Sequence, residues 1–183
     1  MIKEKHRLNV FDVWKQFSNE CFVDELVKKQ LSHKRYLHCK EVTNVCIKLA
    51  KQHGVDVHLA FLAGMLHDIT KELSKEESVS YMQYYKEYLY LKAPLYHQYT
   101  AIIFLKQKYN FYNKKVFHAI MHHTLGTGTS KLAKILFIAD KIEPTRGYDT
   151  TYHMELALRD LELGFAYVKA DNQKYLKERG VFG

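Results

Sequence analysis

The chain has 183 residues, 47% hydrophobic and 14% aromatic, enough for one sizeable core and short for two domains. Eight glycines and only two prolines leave few chain breakers, which excludes a many-turned sandwich and favours a single all-α domain. The formal charge of +8 and a pI near 9.2 predispose the surface to polyanions such as nucleotides, nucleic acid or acidic membranes. The basic residues are nevertheless scattered and carry no RRM, zinc-finger or helix-turn-helix signature, so no specific nucleic-acid partner is indicated.

Neither a signal-peptide h-region nor an apolar run of spanning length is evident, and Cys21, Cys39 and Cys46 form no CxxC pattern. Cys39 and Cys46 fall about 10.5 Å apart along one expected helix, too far for a disulfide. The expectation is a cytoplasmic protein with reduced cysteines and no membrane association.

Residues 9–29 place Val10, Val13, Trp14 and Phe17 at helical spacing, predicting one or two short helices that pack on the remainder. Between about Leu31 and Gln52, Val42, Val45, Cys46, Leu49 and Ala50 form an inward stripe that includes His38, and Gly54 is placed to end that helix. Asp56 can cap a helix reaching about Ile69, with Ala60, Ala63, Gly64 and His67 on one face; small residues there let another helix approach His67. Ser74 and Glu77 read as a capping box for a tyrosine-rich helix over about 75–90.

Pro94 suits the first turn of a helix carrying His97, Ala101, Phe104 and Leu105 on one face. Asn113 can cap the next, in which Val116, Ala119, Ile120 and His123 align inward and His118 and His122 on the other side. Gly126 and Gly128 mark a loop, after which Ser130 can cap a helix with Leu132, Ala133, Leu136 and Asp140 inward, stopping before Pro144. Residues 150–179 read as amphipathic helix, with Leu156, Leu163 and Tyr167 closing over the core.

The stretch from His58 to Leu66 is nearly all apolar and ends on His67 and Asp68, two ionisable groups that need partners if buried. Four imidazoles (His38, His67, His97, His123) and two carboxylates (Asp68, Asp140) on the inward faces of five expected helices would form a mixed nitrogen and oxygen site for Fe, Mn, Zn or Co. Six ligands could hold two metals, with Asp68 bridging, His38, His67 and Asp140 on the first ion, and His97 and His123 on the second. Open positions would leave room for a bridging water acidic enough to supply hydroxide near neutrality, which suits hydrolysis of phosphate esters or anhydrides.

Each residue has a plainer reading. His67-Asp68 could be a hydrogen-bonded pair at a helix end, and Asp140 a carboxylate near a helix C-terminus, where the dipole makes it want a cation. Lys71 could be a solvated lysine, and Arg146 a surface partner of Glu143. His58, His118, His122 and His153 read as surface residues, and the tyrosines between Tyr81 and Tyr99 as packing rather than a base-stacking platform.

Five ordered motifs nevertheless resemble one family: Lys34-Arg-Tyr-Leu-His38, Ala63-Gly-Met-Leu-His-Asp-Ile-Thr-Lys-Glu-Leu73, Pro94-Leu-Tyr-His97, Ala119-Ile-Met-His-His-Thr124 and Ile138-Ala-Asp-Lys-Ile-Glu-Pro-Thr-Arg146. They resemble the HD-domain phosphohydrolases, and more closely the bacterial YqeK-like branch of symmetrical diadenosine tetraphosphate hydrolases. The resemblance implies one HD domain over 1–183, with its metal-binding core at about 31–148 and helices 9–29 and 150–179 packed on it. It implies that His38, His67, Asp68, His97, His123 and Asp140 are the metal ligands and that iron, as a di-iron centre, is the cofactor.

The resemblance also implies that Lys71 and Arg146 approach substrate phosphates and that Thr124 and Gly126 line the pocket. A hydroxide activated by two metals would then attack an inner phosphorus and release two ADP, with Asp68, Lys71 and Arg146 as the catalytic set. Family members usually carry arginine after the glycine of the His-Thr-x-Gly loop, where this chain has Thr127, which places one phosphate contact in question. The competing functions are a one-metal HD nucleotidase or alarmone phosphohydrolase, and a non-catalytic nucleotide-binding HD module. The aromatic content also allows a homodimer.

Overall fold

A computed structural model describes residues 10–178, which form ten α-helices and three single 3-10 turns with no strand. The all-α expectation holds. Residues 1–9 and 179–183 lie outside the described residues, and with them the expected helix ends at 9 and 179. No helix among the described residues is long and apolar enough to cross a membrane.

Helices α1 (Val10–Phe17) and α2 (Glu20–Gln30) are the short pair anticipated near the start. Asn19 caps α2 by accepting from the Cys21 and Phe22 amides. Phe17 is fully buried and stacks on Phe111, while Trp14 covers the other side of the same ring cluster.

Helix α3 (His33–His53) starts at the Ser32 cap and ends where Gly54 adopts the left-handed conformation at φ 65°. It packs most extensively on α4 (Val57–Leu66), every residue of which from Ala60 onward is buried. Apolar on all sides, α4 belongs at the centre, with α2, α3 and the later helices over residues 114–122 and 131–142 around it. Gly64 makes the α3–α4 approach possible: a Cβ there would lie 2.7 Å from the Thr43 Cα.

Helix α4 ends at Leu66, not near Ile69. The Ile69 and Lys71 amides bond the Leu66 and Asp68 carbonyls three residues back, so the chain tightens into successive turns. His67 and Asp68 therefore sit at the mouth of the central helix.

The tyrosine-rich segment departs further from expectation. Ser74 and Glu77 do form a reciprocal capping box, but α5 covers only Lys75–Met82, followed by a 3-10 turn at Lys86–Tyr88. Aromatic residues lose rotamer freedom in a helix, and here Tyr85 and Tyr88 both leave it to pack on Tyr99. Those rings surround a small separate core of Met82, Tyr96 and Tyr99, so these tyrosines are packing residues.

Pro94 lies in a 3-10 turn (Ala93–Leu95) that leads into α6 (His97–Tyr109), so His97 opens the helix. Helix α7 (Lys114–His122) is capped by Asn113, and α8 (Lys131–Ile142) by Ser130. The latter stops at Glu143, one residue before Pro144.

The C-terminal region is two helices, α9 (Thr151–Arg159) and α10 (Leu161–Glu178). Asp160 is extended between them and its carboxylate accepts from the Leu163 amide, which resets the helical register. Leu156 is buried as expected, but Leu163 and Tyr167 are 49% and 42% exposed, and α10 instead buries Leu161, Gly164, Val168 and Leu176. Gly164 lets α10 meet α9 closely, since a Cβ there would stand 2.5 Å from the Ala157 Cα.

Candidate metal centre

Five elements converge on one buried point. His38 comes from α3, His67 and Asp68 from the end of α4, His97 from the start of α6, His123 from the cap of α7, and Asp140 from the last turn of α8. All six are buried, none more than 8% exposed. Three helix C-termini (α4, α7, α8) thus point their negative dipole ends at two carboxylates, a field that calls for a cation.

The two oxygens of Asp68 face different histidine pairs. Its Oδ2 stands 3.7 Å from His38 Nε2 and 3.6 Å from His67 Nε2, while Oδ1 stands 3.3 Å from His97 Nε2 and 3.7 Å from His123 Nε2. Asp140 Oδ1 lies 3.3 Å from His38 Nε2 and 3.9 Å from His67 Nε2. Two donors each about 2.1 Å from a shared ion stand roughly 3 to 4 Å apart, so these separations fit ligands of common ions. Two triads have donor atoms within 4.8 Å of one another: His38, His67 and Asp140, and His67, Asp68 and His123.

Tautomers test the fit independently. The Nδ1 atoms of His67, His97 and His123 bond the carbonyls of Gly64, Pro94 and Ile120 at 2.7, 2.8 and 2.7 Å. A carbonyl can only accept, so each Nδ1 carries the proton and each Nε2 presents a lone pair inward. His38 is oriented likewise by Glu143, whose Oε1 lies 3.1 Å from its Nδ1. The Nε2 atoms of His38 and His67 are buried with no hydrogen-bond partner, and the Nε2 lone pairs of His97 and His123 oppose at 3.1 Å. Such lone pairs, crowded around two carboxylates, fit a divalent cation.

Protonation follows from the same surroundings. Burial pushes His67 down to about 4 and His97 well below the usual imidazole range, keeping both neutral. Burial works against the charge on Asp68, yet its carboxyl is held well below the usual range, with Lys71 among the groups that lower it. Burial of Asp140 is outweighed by Lys141, His38 and Arg146 in the same way. His38 moves upward, because Asp140 outweighs burial. At neutral pH the cluster stands as ionised carboxylates with neutral His67 and His97.

Beside the cluster opens a cavity of about 580 Å³, within the range of small-molecule sites. Its inner end carries four cations, Arg35, Lys71, Lys141 and Arg146. Arg35 donates to Asp68 Oδ2 at 2.9 Å, and Lys141 and Arg146 donate to Asp140 at 2.5 and 2.6 Å. Lys71 Nζ lies 3.1 Å from His97 Nδ1 and donates to the Pro94 carbonyl at 3.3 Å, and burial lowers its pKa.

Of the residues expected to meet substrate, Lys71, Thr124 and Arg146 lie on the cavity wall. The Thr124 hydroxyl stands 3.2 and 3.3 Å from the His97 and His123 Nε2 atoms. Gly126 is placed elsewhere: it is buried against Phe137 at φ 62°, where a Cβ would meet the ring at 2.8 Å, and shapes the loop from beneath. Thr127 is exposed, and its Oγ1 lies 2.6 Å from His122 Nδ1 on the far side of α7. Its side chain takes no part in the cavity wall.

His58, His118 and His122, expected at the surface, are half-buried; His118 bonds Ser130 and His58 packs on Trp14 and Phe61. His153 is on the cavity wall, 2.9 Å from Asp171. Sequence reasoning missed Arg35 and the orienting role of Glu143. Each stands three residues from a residue of the cluster, Arg35 before His38 and Glu143 after Asp140, so helical spacing could have placed them on the same side.

The family model for the HD domain matches residues 35–145, which contain all six residues of the cluster. The chain belongs to the HD-domain family. Within it, a Bacillus subtilis protein named symmetrical bis(5'-nucleosyl)-tetraphosphatase is 32% identical over 126 residues, 67% of this chain and 68% of that one. A Mycoplasma pneumoniae protein named probable nicotinate-nucleotide adenylyltransferase/Ap4A hydrolase is 30% identical over 152 residues, 79% of this chain; the chain spans 44% of that relative's length. Among solved structures, a Clostridium acetobutylicum protein titled a predicted HD superfamily hydrolase involved in NAD metabolism superposes with a TM-score of 0.78 at 26% identity, over 90% of each chain. The family resemblance read from the five motifs is borne out.

Proposed function

We propose that the chain is a metal-dependent hydrolase that cleaves diadenosine tetraphosphate symmetrically to two ADP. The observation that carries this reading is Asp68, whose two oxygens face separate histidine pairs at the inner end of a cavity ringed by four cations. The names of the tetraphosphatase relatives support it.

His38, His67 and Asp140 would hold one ion, His97 and His123 a second, and Asp68 would stand between them. Iron in both positions is the proposed cofactor; Mn, Co or Zn also suits imidazole and carboxylate ligands. When bound, such ions acidify water and neutralise charge on phosphoryl oxygens.

The chain's own residues supply the rest. Arg35, Lys71, Lys141 and Arg146 would bind successive phosphates and set one inner phosphorus against the ligand cluster, so that charge developing on its oxygens meets fixed donors. Glu143 and the three carbonyls keep each imidazole turned inward. The Thr124 hydroxyl, beside His97 and His123, can donate a hydrogen bond to a phosphoryl oxygen bound there. Free, buried Cys39 and Cys46 accord with action in the reducing cytoplasm.

Iron-loaded protein given diadenosine tetraphosphate should yield ADP as sole nucleotide product. Equal ATP and AMP would overturn symmetrical cleavage. A one-metal nucleotidase is the second reading, favoured by the His38, His67 and Asp140 triad being compact by itself; it predicts turnover of nucleoside monophosphates.

A further inference from the structure

We infer that Asp171, held in place by His153, reads the sugar of the bound nucleotide by accepting hydrogen bonds from its ribose hydroxyls. This rests on the proposed action on nucleoside polyphosphates and assigns a role to residues beyond the HD-domain match. Besides the four cations, the cavity wall includes Tyr148, His153, Asp171, Asn172 and Tyr175, all beyond residue 145, where the HD-domain match ends.

Two hydrogen bonds tie that wall to the cluster. Asn172 Nδ2 donates to the Thr124 carbonyl at 3.4 Å, next to His123, and the Tyr148 hydroxyl donates to the Lys141 carbonyl at 2.5 Å, next to Asp140. Asp171 adjoins Asn172, and its Oδ2 lies 2.9 Å from His153 Nε2, which joins α10 to α9. Tyr175 follows one turn along α10, about 6 Å farther. One cavity wall thus carries cations suited to phosphate, a carboxylate able to accept from sugar hydroxyls, and an aromatic ring.

A carboxylate in the wall of a cavity for polyphosphate adds unfavourable charge, screened in part because the Asp171 side chain is 59% exposed. If Asp171 only anchored His153, removing it would leave phosphate ligands bound equally or slightly more tightly, with no change in sugar preference. A carboxylate can accept about four hydrogen bonds, so contact with His153 leaves capacity for a vicinal diol. The Watson–Crick edge of adenine suits it less, because it sets an acceptor beside the amino donor.

The test uses the metal-loaded full chain and calorimetric binding of ADP, 2',3'-dideoxyadenosine diphosphate and pyrophosphate. The unsubstituted protein should bind ADP at least about tenfold more tightly than the dideoxy analogue, the worth of one or two charge-assisted hydrogen bonds. Asp171→Asn should bring the two within about twofold of each other while pyrophosphate binds no more weakly. His153→Phe, which removes the anchor but leaves the carboxylate, should erase part of the preference. Persistence of the full preference in Asp171→Asn, equal tightening of all three ligands, absence of any preference, or failure to bind ADP would each overturn the inference. Because binding alone is read, a chain with the sugar preference but no tetraphosphate cleavage refutes the proposed reaction and leaves this inference standing.

Discussion

Replacing Gly64 by alanine perturbs the α3–α4 contact that sets the distance between His38 and His67. The added Cβ would meet the Thr43 Oγ1 at 2.6 Å and the Thr43 Cα at 2.7 Å, against about 3.5–4.0 Å for a favourable carbon contact. Rotation of Thr43 gives no relief, because one clash is with backbone and its hydroxyl donates to the Cys39 carbonyl at 2.7 Å. The two helices must part, at a cost near the upper end of the about 1–3 kcal/mol range for overpacked cores. Alanine's better helix propensity returns about 1 kcal/mol, leaving a loss of about 2 kcal/mol. For a chain of this size that is a fall in Tm of about 4–8 °C. Circular dichroism melting of metal-free Gly64→Ala measures it without ligand linkage. A Tm equal to or above that of the unsubstituted protein would refute the packing argument. Since Gly64 also supplies the carbonyl that orients His67, metal affinity in a chelator competition should fall as well.

Four further substitutions probe the centre and its surroundings. His97→Ala and His123→Ala should each reduce bound metal from two equivalents to about one, with activity lost; an unchanged single equivalent in all forms, by elemental analysis, would favour the one-metal reading. Glu143→Gln keeps the side chain's shape but weakens the hold on His38 Nδ1, and should lower metal affinity about 10–100-fold; unaltered affinity would mean that Glu143 does not orient the ligand. Thr127→Ala should leave kcat/KM for the tetraphosphate within about twofold, because its hydroxyl meets His122 outside the cavity. A loss well beyond that would show that position 127 reaches substrate.

The cluster was legible because burial and periodicity agree at each of its residues. His123 over His122 follows from the inward stripe Val116, Ala119 and Ile120, and His122 indeed turns to Thr127 instead. Helix starts at Asp56, Ser74, Asn113 and Ser130 were legible from cap chemistry that each side chain performs. Other features depend on tertiary contacts without a local signal. The tyrosine-rich helix ends early because Tyr85 and Tyr88 find Tyr99, which lies beyond the turn. The face of α10 was misread because the break at Asp160 restarts the register, leaving Leu163 and Tyr167 outward. His153 was hidden for a related reason: its partner Asp171 is on the next helix.

Two-metal hydrolysis at this centre requires Asp68 to stand between two ions. The most direct measurement is elemental analysis of the unsubstituted protein and Asp68→Ala, prepared alike, with folding of both checked by circular dichroism. Two metal equivalents are expected in the first and loss of at least one, with abolished tetraphosphate cleavage, in the second. Two equivalents retained in folded Asp68→Ala would contradict it.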